Sequence, residues 1–245
     1  MTGARALPTR KDEEFRYADL AALAPLWPVA VEEIVLAAGE VRALTISNTG
    51  SQAVVRDLSI RLGAGAQLTL HVLNAAPAYG RIAVRAELGE GSAFTFGAAQ
   101  LAGGAATLEV VTQVTHAGPD AISRQVVRSV AGGTATANYL GKVLVRPGAD
   151  GTDGEQSVRA MLLDRTATAN ARPELEIYAD DVKCAHGCAV GELDANGLFY
   201  LQSRGLTPAD AKRLMLQAFI AEAFVDAADG DDLTAAALAA LEQLL

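Results

Sequence analysis

The chain is poor in the residues that usually announce a function. It has two cysteines, Cys184 and Cys188, four positions apart. One such pair builds no disulfide framework, and in a reducing compartment both thiols stay free. Aromatic residues make up 5% of the chain and tryptophan occurs once, which counts against the aromatic platforms of a carbohydrate-active enzyme. Cations are in deficit: 20 Lys and Arg face 29 Asp and Glu, a net charge of −9. Phosphate backbones need clustered cations, so a nucleic-acid partner is excluded. No run of 18 apolar residues is present, so no membrane-spanning helix is expected. The opening MTGARALPTRKDEEF lacks the apolar core of an export signal, and a cytoplasmic location is the expectation.

Catalytic signatures are also missing. Gly141-Lys142 lacks the upstream glycines and following hydroxyl of a nucleotide-binding loop, and Gly63–Leu68 lacks the third glycine of a dinucleotide loop. Neither G-x-S-x-G nor H-E-x-x-H occurs. Asp180-Asp181 invites a reading as paired carboxylates for acid–base work, but adjacent residues of a strand point to opposite faces, so it reads as a polar turn. Residues 150–155 (DGTDGE) lack the calcium-loop pattern and read as a loop.

What is present is β-like sequence with glycine punctuation. Short, partly alternating runs follow one another from Val31 to about Leu163, and LGAGA at 62–66 returns as LGEGS at 88–92, an offset of 26. A repeat of that length suggests a solenoid. No helix-length gaps separate the runs, which disfavours a βαβ sheet, while strand length alone leaves a sandwich or barrel open. The self-similarity and small side chains point to a β-helix.

Helical sequence flanks this region. Asp12, Glu13 and Glu14 suit a first helical turn, with Phe15, Leu20 and Leu23 on one side and Pro25 and Pro28 stopping it. Thr207-Pro208-Ala209-Asp210 is a helix start followed by an apolar stripe: Ala211, Leu214, Met215, Ala218 and Phe219. Gly230 is expected to close that helix, and Asp231 or Asp232 to cap another carrying Leu233, Ala237, Leu241 and Leu244. The expected organisation is 1–30 helical, 31–204 β-helix core and 205–245 helical.

Between core and tail lies the densest chemistry. Glu174–Tyr178 alternates acidic and apolar residues, and Val182–Val190 continues as strand-like sequence. In an extended chain Cys184, His186 and Cys188 share one face. Thiolate and imidazole suit soft metals and iron–sulfur chemistry, but closed zinc and cluster sites usually need four ligands. Spacing alone leaves two readings open: ligands completed by a partner, or packed thiols beside a hydrogen-bonded histidine. Gly187 could turn the strand and break the shared face. His71 and His116 read as core or surface histidines.

Pro173, Leu175, Glu176, Ile177, Asp180, Asp181, Val182, Lys183, Cys184, Ala185, His186 and Gly187 resemble the C-terminal signature of the SufB/SufD family, its SufD branch most closely. A looser series continues the resemblance: His116, Ser123, Tyr139, Gly141, Lys142, Val143, Val145, Gln156 and Met161–Leu163. Cys188 stands where the family pattern has a small residue and reads as a buried thiol.

The resemblance implies a right-handed parallel β-helix, mainly β, with short helical flanks. It implies a non-catalytic scaffold subunit of a SufB–SufC–SufD-type complex for iron–sulfur cluster assembly. The partners implied are a SufB-like chain and a SufC-type ABC ATPase, with a homodimer when the chain is alone. No cofactor is held stably; a transient iron–sulfur cluster forms in the complex. His186 is the first site residue implied and Cys184 the second, with Lys183 and Glu176 as tuning or structural groups. Leu214, Met215, Phe219 and Phe224 lie in the region implied to dock the ATPase. The alternatives are a metal-binding β-solenoid or cupin-like module, and a β-helix carbohydrate-active enzyme.

Overall fold

In the computed structural model, the described residues are 6–50, 52–75, 78–225, 227 and 230–245. Twelve strands wind into a parallel β-solenoid. They are β1 (Val31–Leu36), β2 (Val41–Asn48), β3 (Val54–Leu62), β4 (Gln67–Asn74), β5 (Tyr79–Leu88) and β6 (Ala93–Ala102). β7 (Thr107–His116), β8 (Ile122–Ala131), β9 (Thr136–Val145), β10 (Asp153–Leu162), β11 (Thr168–Ile177) and β12 (Lys183–Gly191) follow. Odd strands form one six-stranded sheet and even strands a second. Every described pairing is parallel and links a strand to the one two places on. The parallel pairing rules out the sandwich and barrel readings.

The repeat seen in the sequence is the corner between an odd and an even strand. Gly39, Gly65, Gly91, Asp120, Gly151 and Asp181 stack there, all with positive φ. The first five pass their N–H to the carbonyl of a corner residue one coil on, from Gly39 to Ala64 (2.9 Å) through Gly151 to Asp181 (3.0 Å). Glycine takes this left-handed turn without strain, and aspartate is among the few other residues that tolerate it. Asp181 is thus the corner of the last coil.

The two sheets face each other across one apolar core. Because strand residues alternate, each inward position stacks on its equivalent in the next coil. Leu44, Leu70 and Phe96 form one such column, and Leu58 and Val84 belong to another. Each fully buried side chain of this kind contributes about 1.5–3 kcal/mol.

The flanks cover the outer faces. Residues 12–29 strap the odd-strand sheet and are less helical than expected, with only the single turn α1 (Leu20–Leu23) flanked by 3-10 turns. Asp19 caps α1, accepting from the Ala21 and Ala22 amides, and Pro25 prevents its growth. The strap is held by Arg81, which is buried, pairs with Glu109 and donates to the Glu14 carbonyl at 3.0 Å. Asn138 Nδ2 donates to the Tyr17 carbonyl at 3.0 Å.

At the other end the strands stop at Gly191, short of the boundary expected at residue 204. Asp194 accepts from the Asn196 and Gly197 amides and starts a helix, α2 (Ala195–Ser203). Thr207 caps α3 (Pro208–Ala221) as its sequence demands. A 3-10 turn then ends that helix, and Gly230 opens α4 (Gly230–Glu242) instead of closing α3. α3, the 3-10 turn and α4 lie on the outer face of the even-strand sheet, burying Leu216, Ile220, Phe224 and Leu241 against Leu73, Ala99 and Val130. Gly97 permits this approach, since a Cβ there would lie 2.0 Å from the Ala223 carbonyl oxygen.

His116 is fully buried in the solenoid, with Nε2 2.9 Å from Ser123 Oγ. Burial pushes its pKa down to about 4, against smaller opposing effects of the Ala121 backbone and the Asp153 charge. Between about pH 6.5 and 4 the unfolded chain therefore binds a proton that the folded chain refuses. Stability is complete above that window and falls as pH drops through it, by at most about 3 kcal/mol. Urea unfolding at about pH 7 and pH 4.5 should show this loss, and His116→Gln should shrink it by about 2 kcal/mol.

Candidate functional site

Among the described residues no strand pairs with the outer edge of the last coil. β11 and β12 end their sheets, so their inward positions form the last layer of the interior, at the end of the solenoid. β12 is a regular strand through Gly187, and its register with β10 sets Cys184 opposite Gly154, His186 opposite Gln156 and Cys188 opposite Val158. Those three β10 residues point into the core, so Cys184, His186 and Cys188 share the inward parity, as the alternation predicted. Cys184 is half-buried against the core, while His186 and Cys188 are exposed. Ile177 and Val190 lie on the same parity at 41% and 47% exposure, values that mark an uncovered interior.

The three side chains do not converge on one point. Alternate residues of a strand are about 6.6–6.8 Å apart, so Cys184 and Cys188 are separated by about 13 Å along it. Among the described residues no group of three or more His, Cys, Asp or Glu side chains is gathered in metal-binding geometry. The face offers ligands singly. That geometry suits completion by another chain and does not suit a lone closed zinc module.

Both thiols are held back from ionising. Burial raises the pKa of Cys184, with the Gly154 backbone opposing, and burial raises that of Cys188. Cys188 Sγ leans over the end of the core toward the Ala171 carbonyl at 3.8 Å. Lys183 and Glu176 have the opposite parity. Glu176 pairs with Lys142 at 2.5 Å on the outer face of the odd-strand sheet, and Lys183 lies in register with Asp153. Neither joins the thiol–imidazole face.

Beneath this face the interior changes character. The column that ends in His186 reads Leu44, Leu70, Phe96, Gln125, Gln156, His186. The column ending in Cys184 changes from Phe94 to Ser123, and on the facing sheet Val84 gives way to Thr112, Leu88 to His116 and Val110 to Tyr139. These polar groups are almost wholly buried and bonded across the solenoid. Thr112 Oγ1 donates to Gln125 Oε1 at 2.8 Å and lies 3.1 Å from the Tyr139 hydroxyl, to which Gln156 Nε2 donates at 3.1 Å. Burial pushes the Tyr139 phenol up to about 12, keeping it protonated. Gly141 makes room for it, because a Cβ there would meet the hydroxyl oxygen at 2.0 Å.

The comparisons can now be set beside this geometry. The family model described as "SUF system FeS cluster assembly, SufBD core domain" matches residues 18–219. The chain belongs to the SufB/SufD family. It is 40% identical over 100 residues to the iron-sulfur cluster assembly protein SufD of Escherichia coli, covering 41% of this chain and 24% of that protein. It is 38% identical over 117 residues to protein ABCI7, chloroplastic, of Arabidopsis thaliana, covering 47% and 25%. It is 32% identical over 118 residues to SufD of Bacillus subtilis, covering 48% and 27%. The aligned stretches span about a quarter of those family members. Among the described residues no helix is long and apolar enough to cross a membrane.

Of the residues expected to dock a partner on the C-terminal layer, Phe224 is buried against the protein's own sheet and Phe219 packs beside it. Met215 lies against Gly197, and Leu214 is 46% exposed. Phe199 and Tyr200 on α2, 74% and 56% exposed, were not singled out in the sequence. The expected core boundary at residue 204 took this segment into the solenoid, whereas it forms a surface helix.

The raised thiol pKa values make a direct prediction. Only thiolate reacts with iodoacetamide. At about pH 7 both cysteines of the isolated chain should alkylate more slowly than a free peptide thiol, and speed up to pH 9 and beyond. Peptide mass spectrometry of a labelling time course reads the two sites separately.

Proposed function

We propose that this SufB/SufD-family chain is a non-enzymatic scaffold subunit for iron–sulfur cluster assembly. The open end of its solenoid pairs with a second family chain, SufB-like in the working complex or a copy of itself when alone. The partner's ligands and the His186 and Cys184 side chains then share a nascent cluster, which is cargo and not a resident cofactor. A SufC-type ATPase docks on the C-terminal layer, and the setting is cytoplasmic.

The observation that carries this reading is the contrast between the two ends of the solenoid. At the N-terminal end the inward parity holds charge: Glu32 lies in register with Leu58 and is gripped by Arg56 Nε at 2.8 Å. Arg42 lies in register with Leu68 and pairs with Glu40. Inward charges on edge strands discourage strand addition. At the C-terminal end the inward positions are Ala169, Ala171, Pro173, Leu175 and Ile177 on β11, and Cys184, His186, Cys188 and Val190 on β12. None carries a fixed charge, and two strand edges there lack a neighbour, which favours strand addition from another chain.

In the assembled complex His186→Ala should cut cluster formation at least about tenfold, a loss of about 1.4 kcal/mol or more, with the circular dichroism spectrum unchanged. Full cluster formation by that variant, followed by visible absorbance, would remove His186 from the site. For ATPase docking, Phe199→Ala with Leu214→Ala should weaken capture of the ATPase about tenfold or more without lowering the melting temperature. Phe224→Ala should instead destabilise the fold by about 3–5 kcal/mol.

A further inference from the structure

The polar network stops one strand below His186 with an acceptor unused. Gln156 is fully buried, and its amide nitrogen is committed to the Tyr139 hydroxyl at 3.1 Å. Its side-chain oxygen Oε1 is buried and has no hydrogen-bond partner. A buried acceptor left unmade costs about 1–3 kcal/mol, so a partner is expected. Gln125, one coil below in the same column, has its own Nε2 without a partner, and neither Gln125 nor His186 bonds Oε1 in this structure. The next group along the column is His186, one strand spacing away, about 4.8 Å at the backbone.

We propose that Gln156 is a positioning residue for His186. Its Oε1 accepts one ring N–H of His186, which fixes the tautomer and turns the other, unprotonated nitrogen outward as a ligand. This deepens the reading of His186 as a ligand: histidines that bind metal usually donate their second ring N–H to a fixed acceptor. The rest of the network serves that placement. Tyr139 holds the amide of Gln156 from the facing sheet, Thr112 lies 3.1 Å from the Tyr139 hydroxyl, and Gly141 leaves space for that hydroxyl. Free of such an acceptor, an imidazole exchanges between its two tautomers.

The test is long-range 1H–15N spectroscopy of the full chain, metal-free and labelled at histidine, at about pH 8, where imidazoles are neutral. The chain has three histidines, so His71 and His116 serve as internal controls. In the parent, His186 should favour one tautomer by about tenfold or more, the equivalent of about 1.4 kcal/mol. Gln156→Met, apolar and close in shape, should return His186 to a mixed population while leaving His71 unchanged. Gln156→Glu, which keeps an acceptor, should restore the bias. Should Gln156→Met not fold, Tyr139→Phe, which frees the Gln156 amide to rotate, should weaken the bias in the same direction. An unbiased His186 in the parent, or an identical bias in the parent and Gln156→Met, overturns the proposal. The reading uses no cluster and no partner, so it stands or falls separately from His186→Ala in the assembled complex.

Discussion

Everything in this molecule depends on coil-to-coil registration. Once one corner is fixed in the left-handed conformation, every inward residue is placed on its equivalent in the coil below. The fold is therefore a set of columns, and each column must end somewhere. At an ordinary protein surface, apolar columns would end under a loop or helix. Here three of them end with Cys184, His186 and Cys188 in the last layer. The site is the unfinished last layer of the core and needs no separate cleft.

That layer rests on an unusual interior. Burying hydroxyls and amides is costly unless each is bonded, and a partly bonded network is worse than an apolar one. The first coils avoid the problem by filling the central columns with Leu, Val and Phe. Apart from Glu32, Arg42 and Arg56 at the N-terminal end, polar groups enter these columns with β7 and β8, toward the exposed end, and they bridge the two sheets. Tyr139 needs the missing Cβ of Gly141 in order to fit. A stability-driven core would have repeated Val and Leu here; this one places a bonded polar layer beneath the strand that carries Cys184, His186 and Cys188.

The sequence revealed the repeat because the corner glycines are chemically obvious. LGAGA and LGEGS align because Gly65 and Gly91 turn the same corner in successive coils. The alternation of Cys184, His186 and Cys188 was equally legible, since a strand has no freedom in its side-chain period. Gln125 was invisible for a plain reason: a glutamine between strand residues usually marks a solvent face. Its equivalence to Gln156 lies at an offset of 31, not 26, because the later coils carry longer corners. The extent of the β region was overread for a related cause. LFYLQ holds residues that strands favour, and the Asp194 cap that makes it helical is a single side chain.

The C-terminal layer is fixed to the solenoid by polar bonds as well as by apolar packing. α3 and its 3-10 turn are not tethered by a linker alone. Arg128 is buried and bonds Glu222 at 2.8 Å and the Ser157 carbonyl at 2.8 Å, while His71 Nε2 lies 3.2 Å from the Val225 carbonyl. Arg128 and Ser157 belong to β8 and β10, the strands that lie directly below β12 in the sheet. A force applied to the C-terminal layer is therefore delivered to the coils that hold Gln125 and Gln156. α2 has no buried residue, so it is the element free to be gripped, while the elements behind it are bolted to the sheet.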